Sequence, residues 1–568
     1  MRIAILSGSS SDLSAYVAEI LKSWGLVLFE AVQPAVVARL DASDVPVVVC
    51  PVSEGVDEDA LIGYARRGGT VVCFLPGGGL ARAAGLAREG EQEARLRLRV
   101  TEAPAAGLAG EGLPVVGRAG VYRPGADVRV LAYLCHPGRY RGEDVGITVA
   151  PVGRGRMVVF AFDLALCVLL LRQGDPGRAE VIPPGDGCAR ASHMAADIGP
   201  GDSGWVPFAD LLSRLFVDVL RKRLPGPAPL ISHLPGTAPG MLLYSGDEDY
   251  ADVAATDDEL DYVRAAGGRM SLYIIPNHTR STRADVQRYT AHHDVGPHPN
   301  LRPLDGRPVA ERLLEFERQV RMFEALFGTP ARSVRNHCLA WAGYMDLAEV
   351  QERLGVRMDA NYCCSAYMRN RDFVPYASFG AAMPMRFCRP DGRLIEVFQQ
   401  HTHLSDDGWF GPAEYSLKFS TQQFEVVLSR IFSDIQTRFH MPYGVIIHPG
   451  NWAKFSRGQG EALLRQAAER DMPVWSYDRW LAFWEARDTW RFRRVRWDGR
   501  ELRFAAEGER PCEGLCFALP ETYAGASLTD VRLDGEGQDW QRVSRYGETL
   551  GLVSVPAGSA VEVSASYA

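Results

Sequence analysis

From Gly240 to about Arg487 the chain alternates short apolar segments with amphipathic ones, and chemically versatile residues recur where the apolar segments end. Strands are predicted at 241–245, 269–275, 294–298, 333–337, 357–361, 394–399, 444–448 and 474–477. Helices are predicted at 257–266, 310–327, 345–354, 421–439 and 458–471. Strand-length apolar runs separated by helical periodicity are the pattern of strand–helix units, which bury both faces of a parallel sheet. Seven or eight such units suit a closed or partly closed barrel, whose working residues gather at the C-terminal ends of the strands.

The polar residues obey that geometry. Asp247 and Asp249 follow the first strand, His298 ends the third, and Arg335 and His337 end the fourth. Gln399 and His401 follow the sixth, and His448 ends the seventh. Nine of the twelve histidines lie between His278 and His448. Histidine titrates near neutrality and binds metals as a neutral imidazole. Two carboxylates at i and i+2 on a tight turn can divide labour: one ligates a divalent cation, the other accepts a proton from a metal-activated water. A histidine across the rim can protonate a leaving group, and an arginine can hold the proton-accepting carboxylate ionised. The combination suits hydrolysis of an amide or ester.

A chain of 568 residues is too long for one core, and roughly three domains are expected. Its hydrophobic fraction of 46% and charged fraction of 23% are those of a globular protein. A net charge of −8 argues against nucleic-acid and membrane partners. A small-molecule or oligosaccharide substrate is expected instead, with self-association into a homo-oligomer left open. Only Lys22, Lys222, Lys418 and Lys454 are lysines among 62 basic residues, a bias of GC-rich bacterial genomes. The opening MRIAILSGSSSDL reads as strand, loop and helix and not as an export signal, so a cytoplasmic location is expected. The apolar run 157–171 carries Asp163 and reads as a buried strand and helix, not a membrane span. Eleven cysteines form no pair of CxxC units, and the close pairs Cys363/Cys364 and Cys512/Cys516 lack zinc-site spacing. Free thiols are expected.

Residues 1–224 are predicted as a flavodoxin-like or amidotransferase-like domain, a parallel sheet with helices on both faces. The clusters Pro225-Gly-Pro-Ala-Pro229 and Pro235-Gly-Thr-Ala-Pro-Gly240 make 225–240 a predicted linker. The barrel then spans 241–487. Short alternating runs punctuated by Asp-Gly and Glu-Gly turns make 488–568 a predicted small all-β sandwich.

Two resemblances attach to these motifs. The segment VVVCPVSEGVDEDALIGYARRGGTVVCFLPGG resembles the glutamine-amidotransferase-like fold of ThuA-like proteins and of the middle domain of some β-galactosidases. Cys50 sits at a strand end where such amidotransferases keep a nucleophile, but no glycine-flanked elbow surrounds it and no His-x-Glu pair follows. Over about 240–485, the order MLLYSGDED, DVGPHPN, VRNHCLAW and GVIIHPGNW resembles the polysaccharide deacetylase (NodB homology) superfamily. That resemblance implies Asp247 as general base, Asp249 and His298 as ligands of a divalent metal, most simply zinc, Arg335 as the arginine-motif residue and His448 as general acid. Two departures stand out: an extra residue separates the aspartates, and Arg302 occupies the place of the usual second metal histidine. Asn300, Asp247 itself, His337 or His401 can then complete the ligand set, with Asn300, His337 and His401 also candidates for substrate contact, and a site without metal is the alternative. Tyr244, Trp341, Trp409 and Trp452 lie close to the motifs and are candidates for stacking on a sugar ring. The implied activity is removal of an acetyl group from an amino sugar or glycoconjugate. An amide hydrolase of non-sugar substrates and a non-catalytic glycan-binding protein are the alternatives.

Overall fold

The strand Ile3–Leu6 pairs in parallel with Phe29–Val32 on one side and Val47–Cys50 on the other, and Val47–Cys50 pairs in parallel with Thr70–Phe74. Helices Ser14–Ser23 and Glu58–Arg66 carry the chain between them. Asp57 caps the second, its side chain accepting from the Ala60 N–H. A computed structural model describes residues 1–8, 12–51, 55–101, 112–136, 144–184, 186–196, 206–363, 380–556 and 558–568; Cys364 lies outside them.

The sheet is not parallel throughout. After Thr70–Phe74 and the parallel strand Gly155–Phe160, the strands Asp144–Val152, Arg129–Cys135, Leu86–Val100 and Leu113–Pro124 add antiparallel, for nine strands in all. The wholly parallel expectation is corrected by the period-two pattern of Leu86–Val100. There Leu96, Leu98 and Val100 are buried while Arg95 and Arg99 face outward, and one wet face is what antiparallel pairing tolerates. The apolar run 157–171 does become strand and helix, with Asp163 capping Leu164–Gln173. Among the described residues no helix is long and apolar enough to cross a membrane.

Helix Phe208–Arg221 is buried on nearly every side because it packs between units. Its Asp210 accepts from Arg172 and from the backbone N–H groups of Ala382 and Met383, joining the first unit to the second. The predicted linker is likewise no free tether. Leu230–Ile231 pairs antiparallel with Phe517 and Ala518 of the C-terminal unit. The buried guanidinium of Arg487 donates to the carbonyls of Ser232, Ile231, Lys22 and Ser23. Gly25, in the left-handed region, lets the linker approach so closely that a Cβ there would lie 2.0 Å from the Ile231 carbonyl oxygen. Prolines and glycines give this segment its irregular path, and arginine hydrogen bonds fix it.

In the central region the predicted strands form within a few residues of their expected bounds. The strand Met241–Asp247 lies between Ser271–Ile274 and Pro442–Ile446, with Asp294–Pro297 and Leu404–Ser405 outside them, all parallel. Val474–Trp475 also pairs on Met241–Asp247. A second parallel ladder holds Ser333–Val334, Met358–Asp359 and Leu394–Gln399, edged by the antiparallel Met385–Cys388. The closed or partly closed barrel expected from the alternation is paired here as two ladders, which meet where the His337 N–H donates to the Pro299 carbonyl (3.0 Å).

The C-terminal residues form two antiparallel sheets. Phe492, Phe504 and Phe517 meet between them, with ring centroids 4.8 to 5.9 Å apart, as in a sandwich core.

Candidate active site

Register brings the sequence-distant residues together. Asp247 pairs with Tyr273, and Ser245 with both Ser271 and Ile446, so the residues just beyond these strands end at one level. Gly246 permits this close packing, since a Cβ there would lie 2.8 Å from the Ile447 carbonyl.

Arg335 is fully buried beneath the site. It donates to Asp247 Oδ1 (3.0 Å), Ser245 Oγ (2.7 Å), Thr402 Oγ1 (3.2 Å) and the Ala360 carbonyl (3.2 Å). Its guanidinium lies against the rings of Tyr273 and Tyr477, 4.8 and 5.3 Å from their centroids. A charge this deep is tolerated because its donors are matched, and the result is one fixed orientation for Asp247.

The residue inserted between the aspartates points elsewhere. Glu248 is buried, and its Oε1 accepts from the hydroxyls of Thr279 (2.8 Å) and Ser281 (2.7 Å), anchoring the neighbouring loop. Burial pushes its carboxyl up from the usual range. Asp249 then takes a left-handed backbone, φ 48°, which aspartate accepts more readily than most residues. With Glu248 turned aside, Asp247 and Asp249 face the same space.

His298 Nδ1 donates to the Arg335 carbonyl at 2.7 Å, so in the neutral ring Nε2 carries the lone pair. That nitrogen lies 3.2 Å from Asp249 Oδ1 and 3.9 Å from Asp247 Oδ2. His337 Nε2 lies 3.7 Å from the same Asp249 oxygen, and burial, with His298 nearby, pushes its pKa down to about 4. Asp249 Oδ1 is buried without a hydrogen-bond partner. Each of these two rings presents Nε2 to the same buried Asp249 oxygen, donor types that suit a divalent cation, and a backbone carbonyl fixes the tautomer of one ring as metal ligands require. The donor set fits a divalent metal.

On the opposite side, Asp406 is fully buried. Its carboxylate accepts from His448 Nδ1 (2.6 Å) and from the His448 backbone N–H (2.9 Å). His448 Nε2 is thereby aimed at Asp249 Oδ2 (3.8 Å) and Asp407 Oδ2 (3.9 Å). Burial opposes a charge on this ring, yet Asp406 and Asp407 raise its pKa well above the ordinary histidine value. Asp407 accepts from Asn451 Nδ2 at 2.7 Å. Among the described residues, Asp406, Asp407 and His448 are the group whose potential metal-ligand atoms all lie within 4.8 Å of one another, but both oxygens of Asp406 are engaged by His448.

Of the predicted site residues, Asp247, Asp249, His298, Arg335, His337 and His448 converge. Asn300 does not: its Oδ1 accepts from the Arg302 N–H and its backbone bonds Gln319. His401 stacks on Tyr362, centroids 5.7 Å apart, and lies near Arg172 of the first unit. The four aromatic candidates are packing residues. Tyr244 is buried and donates to Glu259. Trp341 packs on Tyr362 and Phe387, Trp409 on Phe419 and Phe424, and Trp452 on Tyr262; none exposes more than 2% of its surface. Exposed rings at the site are instead Tyr250, beside His337, and Tyr415, near Asp407. Asp406 and Asp407 escape a sequence reading that follows histidines and apolar runs, because they follow the polar stretch Gln399-Gln-His-Thr-His-Leu-Ser405, whose last two residues form a short strand.

No family model matches the chain, and no curated protein matches it. Solved structures similar to it include Agd3, a carbohydrate deacetylase, at 10% identity, covering 100% of this chain and 99% of that one with a TM-score of 0.43. The β-galactosidase from Rahnella sp. R3 has 16% identity over 28% of each chain and a TM-score of 0.23. The β-galactosidase from Bacillus circulans has 16% identity over 29% of this chain and 30% of that one, also with a TM-score of 0.23. This chain thus spans less than a third of the galactosidase chains it matches and nearly all of the deacetylase. What the site can do is read from its own side chains.

Proposed function

We propose that the chain is a metal-dependent hydrolase that removes an acetyl group from an amino sugar or glycoconjugate. One observation carries this reading: a carboxylate fixed by Arg335 and an imidazole fixed by Asp406 flank the convergent donors Asp249, His298 and His337. A divalent ion, most simply zinc, held by those three donors would polarise the acyl carbonyl and lower the pKa of a water. Asp247, oriented by Arg335, accepts a proton from the attacking water. His448, oriented by Asp406, delivers a proton from Nε2 to the departing amine. Acid and base are thus separate groups on separate strands, each held by its own buried partner. Exposed Tyr250 and Tyr415 offer rings against which a sugar can stack.

The test is acetate release by the zinc-loaded chain from N-acetylhexosamines and their oligomers, compared with simple acetamides and with an Asp247→Asn variant. Release from the sugars that disappears in the variant supports the reading. Release from simple amides alone moves the substrate outside sugars. Glycan binding with no release from any substrate replaces the enzyme with a binding protein.

A further inference from the structure

The loop that carries His337 has an improbable backbone. Cys338 and Leu339 both occupy the left-handed region, with φ of 57° and 55°. Two consecutive residues with side chains in that region are unfavourable and persist only where surrounding contacts dictate them. Part of that restraint is local: Asn336 N–H donates to Asn361 Oδ1 (2.7 Å), and Asn336 Nδ2 donates to the Ala340 carbonyl (2.7 Å).

The rest comes from the N-terminal part of the chain. Arg190 forms an antiparallel bridge with Ala340, and Trp341 N–H donates to the Ala189 carbonyl at 2.9 Å. Arg190 Nη1 donates to the carbonyl of Cys338 itself. Glu180 Oε1 accepts from the Gly343 N–H at 2.7 Å, and its other oxygen pairs with Arg312, which also donates to the Trp341 carbonyl. Arg190 is in turn held: Asp186 accepts from its Nε at 2.9 Å, and His193 Nε2 donates to the same carboxylate at 2.8 Å. The Arg190 side chain therefore reaches the strained carbonyl as a braced strut.

We propose that Arg190, braced by Asp186 and His193, is a positioning residue that clamps the Cys338 carbonyl and so holds His337 within reach of Asp249. The N-terminal unit then contributes no reacting group but sets the geometry of one. This assignment rests on the reading of His337 and Asp249 as partners in cation binding, while the clamp on the loop stands on its own contacts.

The test uses the full chain with Arg190→Ala and Asp186→Asn, the second retaining the arginine but removing its charged brace. Two measurements separate the questions. Amide hydrogen exchange of Leu339, Ala340 and Trp341, made without metal, should accelerate at least tenfold in Arg190→Ala while the strands around Asp247 keep their protection. Unchanged exchange at those amides overturns the clamp, whether or not the protein binds metal. Titration with cobalt(II), followed by its visible absorption, should give affinity weakened by roughly 10–100-fold, the usual effect of losing an outer-shell partner, with an altered spectrum. Faster exchange with unchanged cobalt affinity and spectrum overturns the assignment to His337. If wild type and His298→Ala take up cobalt alike, the metal reading fails and the exchange result alone decides the clamp. Should Arg190→Ala not fold, Asp186→Asn carries both measurements.

Discussion

His448 Nδ1 and Asp406 Oδ1 lie 2.6 Å apart, and the second oxygen of that carboxylate accepts the His448 backbone N–H. One buried carboxylate therefore fixes both the ring and the backbone of the histidine, leaving Nε2 as the only nitrogen able to face a ligand.

Loss of that nitrogen should cost turnover and not metal. General acid catalysis is typically worth roughly 10²–10⁴-fold, so His448→Ala should lower kcat on that scale with little change in KM and with bound metal retained. Asp406→Asn keeps the ring but loses its orienting charge, and should lower kcat by a smaller factor. A folded His448→Ala protein with near-normal kcat would reject the mechanism.

Metal uptake should depend on His298 and His337. Each presents Nε2 to Asp249 Oδ1, at 3.2 and 3.7 Å. Elemental analysis after dialysis should find near-stoichiometric divalent metal in wild type and little in His298→Ala, with His337→Ala between them. Equal content in wild type and His298→Ala contradicts the assignment.

Arg335 should matter for stability as well as activity. Replacing it with Met strands Asp247, which is 4% exposed, beside an uncharged side chain. Breaking a buried pair from one side costs about 3–5 kcal/mol. Denaturant titration should reveal that loss, and Arg335→Lys should recover only part of it because ammonium cannot reproduce the fork. A stability change below about 1 kcal/mol, within the range of exposed pairs, would contradict this account.

Acid should weaken the fold through histidines buried uncharged. His403 Nδ1 accepts from the Gly444 N–H (3.0 Å) while Nε2 donates to the Ala381 carbonyl (3.2 Å), so protonation at Nδ1 must break a bond. Burial pushes its pKa from 6.5 down to about 4. Because the folded value is the lower one, the unfolded chain takes the proton first. The stabilisation is complete above pH 6.5 and is lost as pH falls toward 4, to the extent of about 3 kcal/mol. Melting temperature should fall across that window, less steeply in His403→Gln. Parallel profiles for the two proteins would exclude His403 as a source.

Cys50 should be chemically silent. It is fully buried, and Cys73 is its register partner on the adjacent strand. Cys50→Ser should retain wild-type kcat and KM, and abolished activity in a folded variant would give the N-terminal unit chemistry of its own.

Local pattern in the sequence determined the strands and helices of the central region, because burial on a parallel sheet demands apolar runs and amphipathic helices demand their own period. It also located Asp247, Asp249, His298, Arg335, His337 and His448, since strand ends are where such sheets expose reactive groups. Tertiary structure decided what pattern does not encode. The tryptophans near the motifs are packing residues because their burial depends on neighbours outside the motifs, such as Phe387 for Trp341, Phe424 for Trp409 and Tyr262 for Trp452. Asp406 is the partner of His448 because two strand ends meet. Within the Pro/Gly segment before Met241, Leu230–Ile231 is a short strand held in place where Arg487 bonds the Ile231 and Ser232 carbonyls. The partners of the antiparallel strands in the N-terminal sheet and the division of the centre into two ladders were likewise settled by pairing between segments: alternation along Leu86–Val100 marks a strand with one wet face, but which strands it joins is decided by long-range backbone hydrogen bonds.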